Sequence, residues 1–173
     1  MTYDLYMFSV EKGQSLIEAA DAFFRKHAEE FDSDVEPIVT SEEKAFIDHL
    51  ASKLTDANTA LEVNPTNVRR LGYSVQIYCD SDPNKDTGII DIYKDRIEIT
   101  VAYGSDPARA NRTMLNILIN LKILQQETGY AVYDPQSNTE VDLESNLTDL
   151  LDEYAHGTAI TDDIAKKMKK GLS

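Results

Sequence analysis

The sequence predicts an α+β fold, a two-layer sandwich in which a mainly antiparallel sheet of about five strands has helices packed on one face. Residues 96–103 alternate between apolar and polar side chains, which is the period of a strand with one buried face. Residues 106–128 carry apolar side chains at three- and four-residue steps, which is the period of an amphipathic helix. The predicted elements also follow one another in runs of strands and runs of helices, which is typical of α+β domains.

Local signals place the individual elements. From the N terminus they are a strand at 3–8, helices at 15–31 and 40–57, strands at 70–79, 89–93 and 96–103, a helix at 106–128, a strand at 130–133 and short C-terminal helices. Both early helices open with a capping box, in which a Ser or Thr is followed three residues later by Glu. The two boxes are Ser15 with Glu18 and Thr40 with Glu43. Gly129 stands where a left-handed C-terminal cap is expected.

The length of 173 residues predicts a single core domain at residues 1–136 followed by a helical appendage at residues 137–173. In the appendage, residues 161–163 can cap a final basic helix that contains Ile164 and Met168. That helix is too short to be stable alone, so we expect it either to dock or to fray.

Several sequence features bear on where the protein works. No run of about eighteen apolar residues is present, so we expect no membrane span. The N terminus lacks the basic region of a secretory signal. The single cysteine, Cys79, cannot form an internal disulfide and is expected to be a buried thiol. Together these features predict a cytoplasmic protein.

The charge balance is strongly acidic, with a formal net charge of −14 and a pI near 4.5. Direct nucleic-acid binding is disfavoured, because contacts to phosphate need a basic surface. An acidic surface suits a basic protein partner, and solubility is the alternative explanation for the charge. The C terminus differs from the rest, since four of the 17 basic residues lie in the last eight positions and no acid follows Asp163.

The segment at residues 80–91 is the nearest approach to a metal motif. Its oxygen-bearing residues at alternate positions are Asp80, Asp82, Asn84 and Asp86. Calcium loops use this spacing with a further carboxylate downstream, and Asp91 stands at that place. However, Lys85 occupies the position where such a loop requires glycine, and Asp91 falls in a predicted strand. The alternative is a hairpin loop made of ordinary turn-forming residues.

Motifs for catalysis are not found in the sequence. The three histidines, His27, His49 and His156, are scattered along the predicted helices. There is no Gly-rich phosphate loop, no CxxC and no HExxH. We therefore expect no enzymatic activity and no cofactor, with a calcium ion or a small enzyme site at residues 80–91 as the alternative.

Two surfaces are candidates for a protein partner. Tyr6, Tyr78, Tyr93 and Tyr133 are predicted on the strand face opposite the aliphatic rows, which is open to solvent if helices cover only one side. The C-terminal segment adds an acidic cluster that includes Asp149, Asp152 and Glu153. The predicted partner-binding residues are therefore Tyr78, Tyr93, Tyr133, Asp149, Asp152 and Glu153. A solvated helix face is the alternative for the acids, and a homodimer contact is the alternative for the tyrosines.

The two ends of the predicted core resemble a known group of proteins. The stretches Met1-Thr2-Tyr3-Asp4-Leu5-Tyr6 and Gly129-Tyr130-Ala131-Val132-Tyr133-Asp134-Pro135-Gln136 resemble the first and last core strands of a loose group of small bacterial proteins. Some of these are thought to be immunity proteins of polymorphic toxin systems. The resemblance implies a bacterial setting and a partner that is a toxin. The leading hypothesis is therefore an acidic binding module that occludes a basic partner.

Overall fold

The fold is described from a computed structural model. It covers residues 2–32, 38–57, 61–68, 72–79, 88–102, 107–145, 148, 150–152, 154–157 and 159. The strands are β1 (Thr2–Phe8), β2 (Glu62–Val68), β3 (Gly72–Tyr78), β4 (Gly88–Ile92), β5 (Arg96–Ala102), β6 (Ala131–Asp134) and β7 (Thr139–Glu140). The helices are α1 (Leu16–Asp32), α2 (Ser41–Ala57) and α3 (Pro107–Thr128). The described residues between 148 and 159 are also helical.

All seven strands join one sheet in the order β2-β3-β4-β5-β1-β6-β7, and every neighbouring pair is antiparallel. The predicted α+β class is confirmed, although the sheet has more strands than the five expected. The strand missed in the middle of the chain is β2, whose sequence includes Asn64, Pro65 and Asn67. These residues have low strand propensity, and Pro is tolerated there because β2 is an edge strand.

Helices α2 and α3 pack on one face of the sheet, which we call the first face. The main core lies between this face and the two helices. Strand β1 contributes Tyr3, Leu5 and Met7 to this core, and all three are almost completely buried. Helix α3 approaches the sheet closely at Gly88, where a Cβ atom would lie 2.2 Å from Cδ1 of Ile117. The core also takes in Val141, Leu143, Leu150 and Tyr154, which follow the last long strand.

Helix α1 packs on the second face of the sheet, and the expectation that all helices share one face is wrong for this helix. The rings of Phe8 on β1 and Phe23 on α1 stack with their centroids 4.8 Å apart. Tyr6, two residues earlier on the same side of β1, meets Phe24 edge-on at 5.0 Å. Strand β1 is therefore apolar on both sides, and its second side needs its own cover.

The two predicted capping boxes and the predicted cap at Gly129 are confirmed. Ser15 donates its backbone amide to Glu18 at 3.0 Å, and the amide of Glu18 donates to the Ser15 hydroxyl at 3.3 Å. The Thr40–Glu43 pair makes the same two bonds at 2.7 and 3.2 Å. Gly129 has a positive φ of 68°, as a left-handed cap requires. Among the residues described, no helix is both long and apolar enough to cross a membrane.

Candidate functional site

The part of the second face that α1 leaves uncovered forms the candidate site. None of the described helices packs on this side of β2, β3 or β4, because α2 and α3 lie on the first face and α1 contacts β6 and β7. We name this surface the polar face and define it by the outward side chains of four strands. They are Glu62 and Asn64 on β2, Gln76 and Tyr78 on β3, Ile89 and Asp91 on β4, and Glu98 and Thr100 on β5.

The register of the sheet aligns these side chains in rows. Gln76 is the partner of Asp91, and Asp91 is the partner of Glu98. Glu98 in turn is the partner of Tyr6 on β1, and the Tyr6 ring is covered by α1. Residues directly opposite in an antiparallel pair have their Cβ atoms about 5 Å apart. The two carboxylates, Asp91 and Glu98, are therefore direct neighbours on the surface.

Asp91 is held by a short chain of hydrogen bonds on β3. Gln76 Nε2 donates to Asp91 Oδ1 at 2.9 Å, and the Tyr78 hydroxyl donates to Gln76 Oε1 at 2.5 Å. Burial raises the pKa of Asp91 above its ordinary value, and the charge of Glu98 raises it further, whereas the bond from Gln76 lowers it in part. Ionisation of Asp91 is therefore less favourable in the folded protein than in the unfolded chain.

Glu98 has the opposite electrostatic setting, although it lies on the neighbouring strand. Burial acts to raise its pKa, but hydrogen bonds from His27 and Arg96 outweigh burial, and the net pKa is lowered. Arg96 Nε donates to Glu98 Oε1 at 2.7 Å, and His27 Nε2 on α1 lies 3.3 Å from the same oxygen. Glu98 is therefore held as a carboxylate at the border between the polar face and α1.

Arg96 is buried and is committed to structural contacts. Only 4% of its surface is exposed. Besides Glu98 it bonds Asp95 at 3.1 Å, and its guanidinium lies 4.4 Å from the centre of the Tyr93 ring. Arg96 is therefore paired within the protein and offsets charge on Glu98 and Asp95. Among the residues that the structure describes, its ion pairs do not include Glu62 or Asp91.

The three predicted partner-binding tyrosines differ in how much of each side chain is exposed. Tyr78 is half-buried on the polar face, as predicted. The expected exposure is wrong for Tyr93 and Tyr133, which are 7% and 6% exposed. Tyr93 lies beneath Arg96, whereas Tyr133 lies under α1 beside Phe24. The last two have little surface left to offer a partner.

The remaining predicted site residues fall mostly outside the described part of the chain. This applies to Asp149 and Glu153 and to the four proposed metal ligands, Asp80, Asp82, Asn84 and Asp86. Asp152 is described and is exposed on the C-terminal helical segment. Among the described residues, no three His, Cys, Asp or Glu side chains are grouped so that they could hold a metal ion.

Cys79 is buried, and two of the histidines contact carboxylates within the fold. Burial raises the pKa of Cys79 to about 12, and Asn120 Nδ2 donates to its sulfur at 3.8 Å. His49 Nε2 lies 3.2 Å from Glu127 on α3, and His27 pairs with Glu98. A thiol of this kind is a poor nucleophile, as expected from the sequence.

A separate cavity of about 240 Å³ opens between the end of β1 and α1. Its walls include Phe8, Phe23, Lys26 and Asp95, and the last two form an ion pair at 2.5 Å. None of the carboxylates of the polar face lines this cavity.

Comparisons with protein-family models, with curated proteins and with solved structures each found no match. A functional assignment therefore rests on the geometry and the charge of the polar face.

Proposed function

We propose that the protein is a protein-binding module that holds a basic partner against the polar face. The observation that carries this proposal is the charge of a sheet surface that no described helix covers. The surface bears Glu62, Asp91 and Glu98, and the buried cation beside them, Arg96, pairs with Glu98 and leaves the other two carboxylates to face a partner. A surface of this charge attracts basic proteins at long range and repels acidic ones.

The polar face also offers contact area for a partner. Tyr78 and Ile89 face each other across β3 and β4, and both are half-buried. A partner that covers this pair removes its remaining apolar surface from water, and tyrosine supplies such area at low entropic cost. Four neighbouring strands span roughly 15 Å. This width accommodates one helix, whose diameter with side chains is about 10–12 Å.

The partner that we propose is a basic toxin. The first and last long strands resemble those of a loose group of small bacterial proteins, some of which are thought to be immunity proteins of polymorphic toxin systems. An inhibitor that occludes its target needs complementary shape and charge, and it needs no catalytic group of its own. Negative charge on the binding face would also raise the rate of association with a basic target.

The test compares two variants of equal net charge in an affinity capture from bacterial lysate at low salt. The face variant carries Glu62→Gln and Asp91→Asn. The control variant carries Glu42→Gln and Asp56→Asn, which change exposed carboxylates on α2. We expect a basic protein to be retained by the wild type and the control, to be released by salt, and to be lost from the face variant. Equal retention by all three chains, or no basic protein on the wild type, contradicts the proposal.

A further inference from the structure

The cavity between the end of β1 and helix α1 has an apolar wall built from two rings and two small side chains. Phe8 and Phe23 line it, and their rings stack with an angle of 15° between the planes. Ala19 and Ala22 on α1 also line it, and their short side chains leave space beside the rings. Its volume of about 240 Å³ is below the roughly 300–1,000 Å³ of sites for drug-sized ligands, so it suits a molecule with a single ring.

The rest of the cavity wall is polar and carries charges of both signs. Lys26 Nζ lies 2.5 Å from Asp95 Oδ2, and Arg96 Nη1 lies 3.1 Å from the other oxygen of the same carboxylate. Asp95 is therefore already paired with two cations. Glu11 also lines the cavity, is exposed, and forms no ion pair with any residue that the structure describes. Its carboxylate is therefore available to a ligand in the cavity.

A tight turn holds Glu11 beside the cavity. The amide of Gln14 donates to the Glu11 carbonyl at 3.0 Å, and the amide of Glu11 donates to Oε1 of Gln14 at 3.3 Å. Gly13 within this turn has a positive φ of 89°, a conformation that residues with a side chain rarely adopt. The backbone of this wall is therefore fixed before a ligand arrives, which lowers the entropic cost of binding.

We propose that this cavity binds a small organic cation, a primary amine that carries an aromatic ring. The ring packs against Phe8 and Phe23 and leaves water, and the ammonium group pairs with Glu11. The net charge of −14 attracts cations at long range and repels anions. An anionic ligand is disfavoured further, because it meets two carboxylates in the wall, and the cation there, Lys26, is already paired with Asp95. The site does not depend on the proposed protein partner, because none of the carboxylates of the polar face lines it.

The test is a titration of the isotope-labelled full-length protein with phenethylamine, followed by amide signals in two-dimensional NMR spectra. We expect saturable shifts confined to residues 8–14, 19–26 and 95, with half-saturation on the order of 1 mM. Phenethyl alcohol is the neutral analogue and hydrocinnamate is the anionic one. The alcohol should bind about two- to fivefold more weakly than the amine, and the anion more weakly still.

Four variants separate the cavity from its charge. Ala22→Leu fills the cavity and should weaken amine binding at least about tenfold, whereas Ala28→Leu, an exposed position on α1 outside the cavity wall, should leave it unchanged. Glu11→Gln should weaken amine binding about two- to fivefold. Lys26→Gln releases Asp95 from one of its two cations and should tighten amine binding by a similar factor.

The dispersion of the amide signals verifies that each variant is folded. Absence of saturable shifts in the wild type overturns the proposal, and so does equal binding of the amine and the alcohol. Equal affinity in the wild type and Ala22→Leu places the amine outside the cavity and also overturns it. If Glu11→Gln and Lys26→Gln change the affinity in the same direction, the charge of the ligand is not recognised, and the assignment of a cation is wrong.

Discussion

Loss of charge at the two facing carboxylates of the polar face should change stability in opposite directions. In Glu98→Gln, Arg96 loses a charged partner at 2.7 Å while remaining 4% exposed. Removing one partner of a buried ion pair costs about 3–5 kcal/mol when the other charge is left alone. Here Asp95 still contacts Arg96, and the Glu98 side chain is 22% exposed, so we expect the free energy of unfolding to fall by about 1–2 kcal/mol.

The matched change on the neighbouring strand, Asp91→Asn, should be neutral or stabilising. Asparagine keeps a side-chain oxygen that can accept the hydrogen bond from Gln76. It removes a negative charge that burial and Glu98 both disfavour, which is why the pKa of Asp91 is raised. We expect the free energy of unfolding to rise by about 0–1 kcal/mol, because like charges directly opposite in a sheet are destabilising.

Urea unfolding at pH 7, followed by far-UV circular dichroism, measures both changes. The pH dependence of the free energy of unfolding provides a second test. The lowered pKa of Glu98 contributes stability that is present above its unfolded-state pKa and is lost as the pH falls through its folded-state pKa. Asp91, with a raised pKa, contributes stability below its unfolded-state pKa that is lost as the pH rises through its folded-state pKa. Two variants that destabilise the protein equally at pH 7 would refute this reasoning.

Three further predictions concern the scaffold. Gly88→Ala should cost about 1–3 kcal/mol because the new Cβ lies 2.2 Å from Ile117 Cδ1, and Ile117→Val should relieve part of that loss in urea unfolding. Strictly additive effects would contradict the close approach. The Cys79 thiol, with its pKa of about 12, should react with a thiol reagent at pH 8 about 1000-fold more slowly in the native protein than in urea; similar rates would argue against burial. Ser15→Ala removes the two bonds that the Ser15 hydroxyl makes with Glu18 and should lower stability by about 1 kcal/mol, whereas an unchanged urea midpoint would mean that this hydroxyl contributes little.

Signals that act within a few residues predicted the elements well. The capping boxes at Ser15 and Thr40 depend on contacts between residues three apart, so the sequence contains the whole interaction. Alternation placed the polar side chains of β3 and β5 on one side of their strands. The row that joins Gln76, Asp91 and Glu98 depends instead on the register between strands, which no local pattern specifies.

The position of α1 had a weaker signal in the sequence. Strand β1 is apolar on both sides, with Leu5 and Met7 on one and Tyr6 and Phe8 on the other, and a strand of this kind is covered on both faces. The sequence does not say which helix supplies the second cover. Because α1 covers the second side of β1, Tyr133 is buried. The sheet surface without a covering helix is therefore the one that carries the carboxylates of β2, β4 and β5, and it is not the predicted row of tyrosines.

The facing pair of carboxylates favours a binding role over solubility as the reason for the acidic charge. Solubility needs negative charge somewhere on the surface, and it gains nothing from placing Asp91 directly opposite Glu98. The raised pKa of Asp91 means that this arrangement reduces stability, and groups held in such unfavourable settings cluster at functional sites. Asp91→Asn should therefore keep or raise the urea midpoint while it weakens capture of the proposed basic partner. If the variant instead binds that partner as tightly as the wild type, Asp91 has no part in binding, and the polar face is a solvated surface at that position.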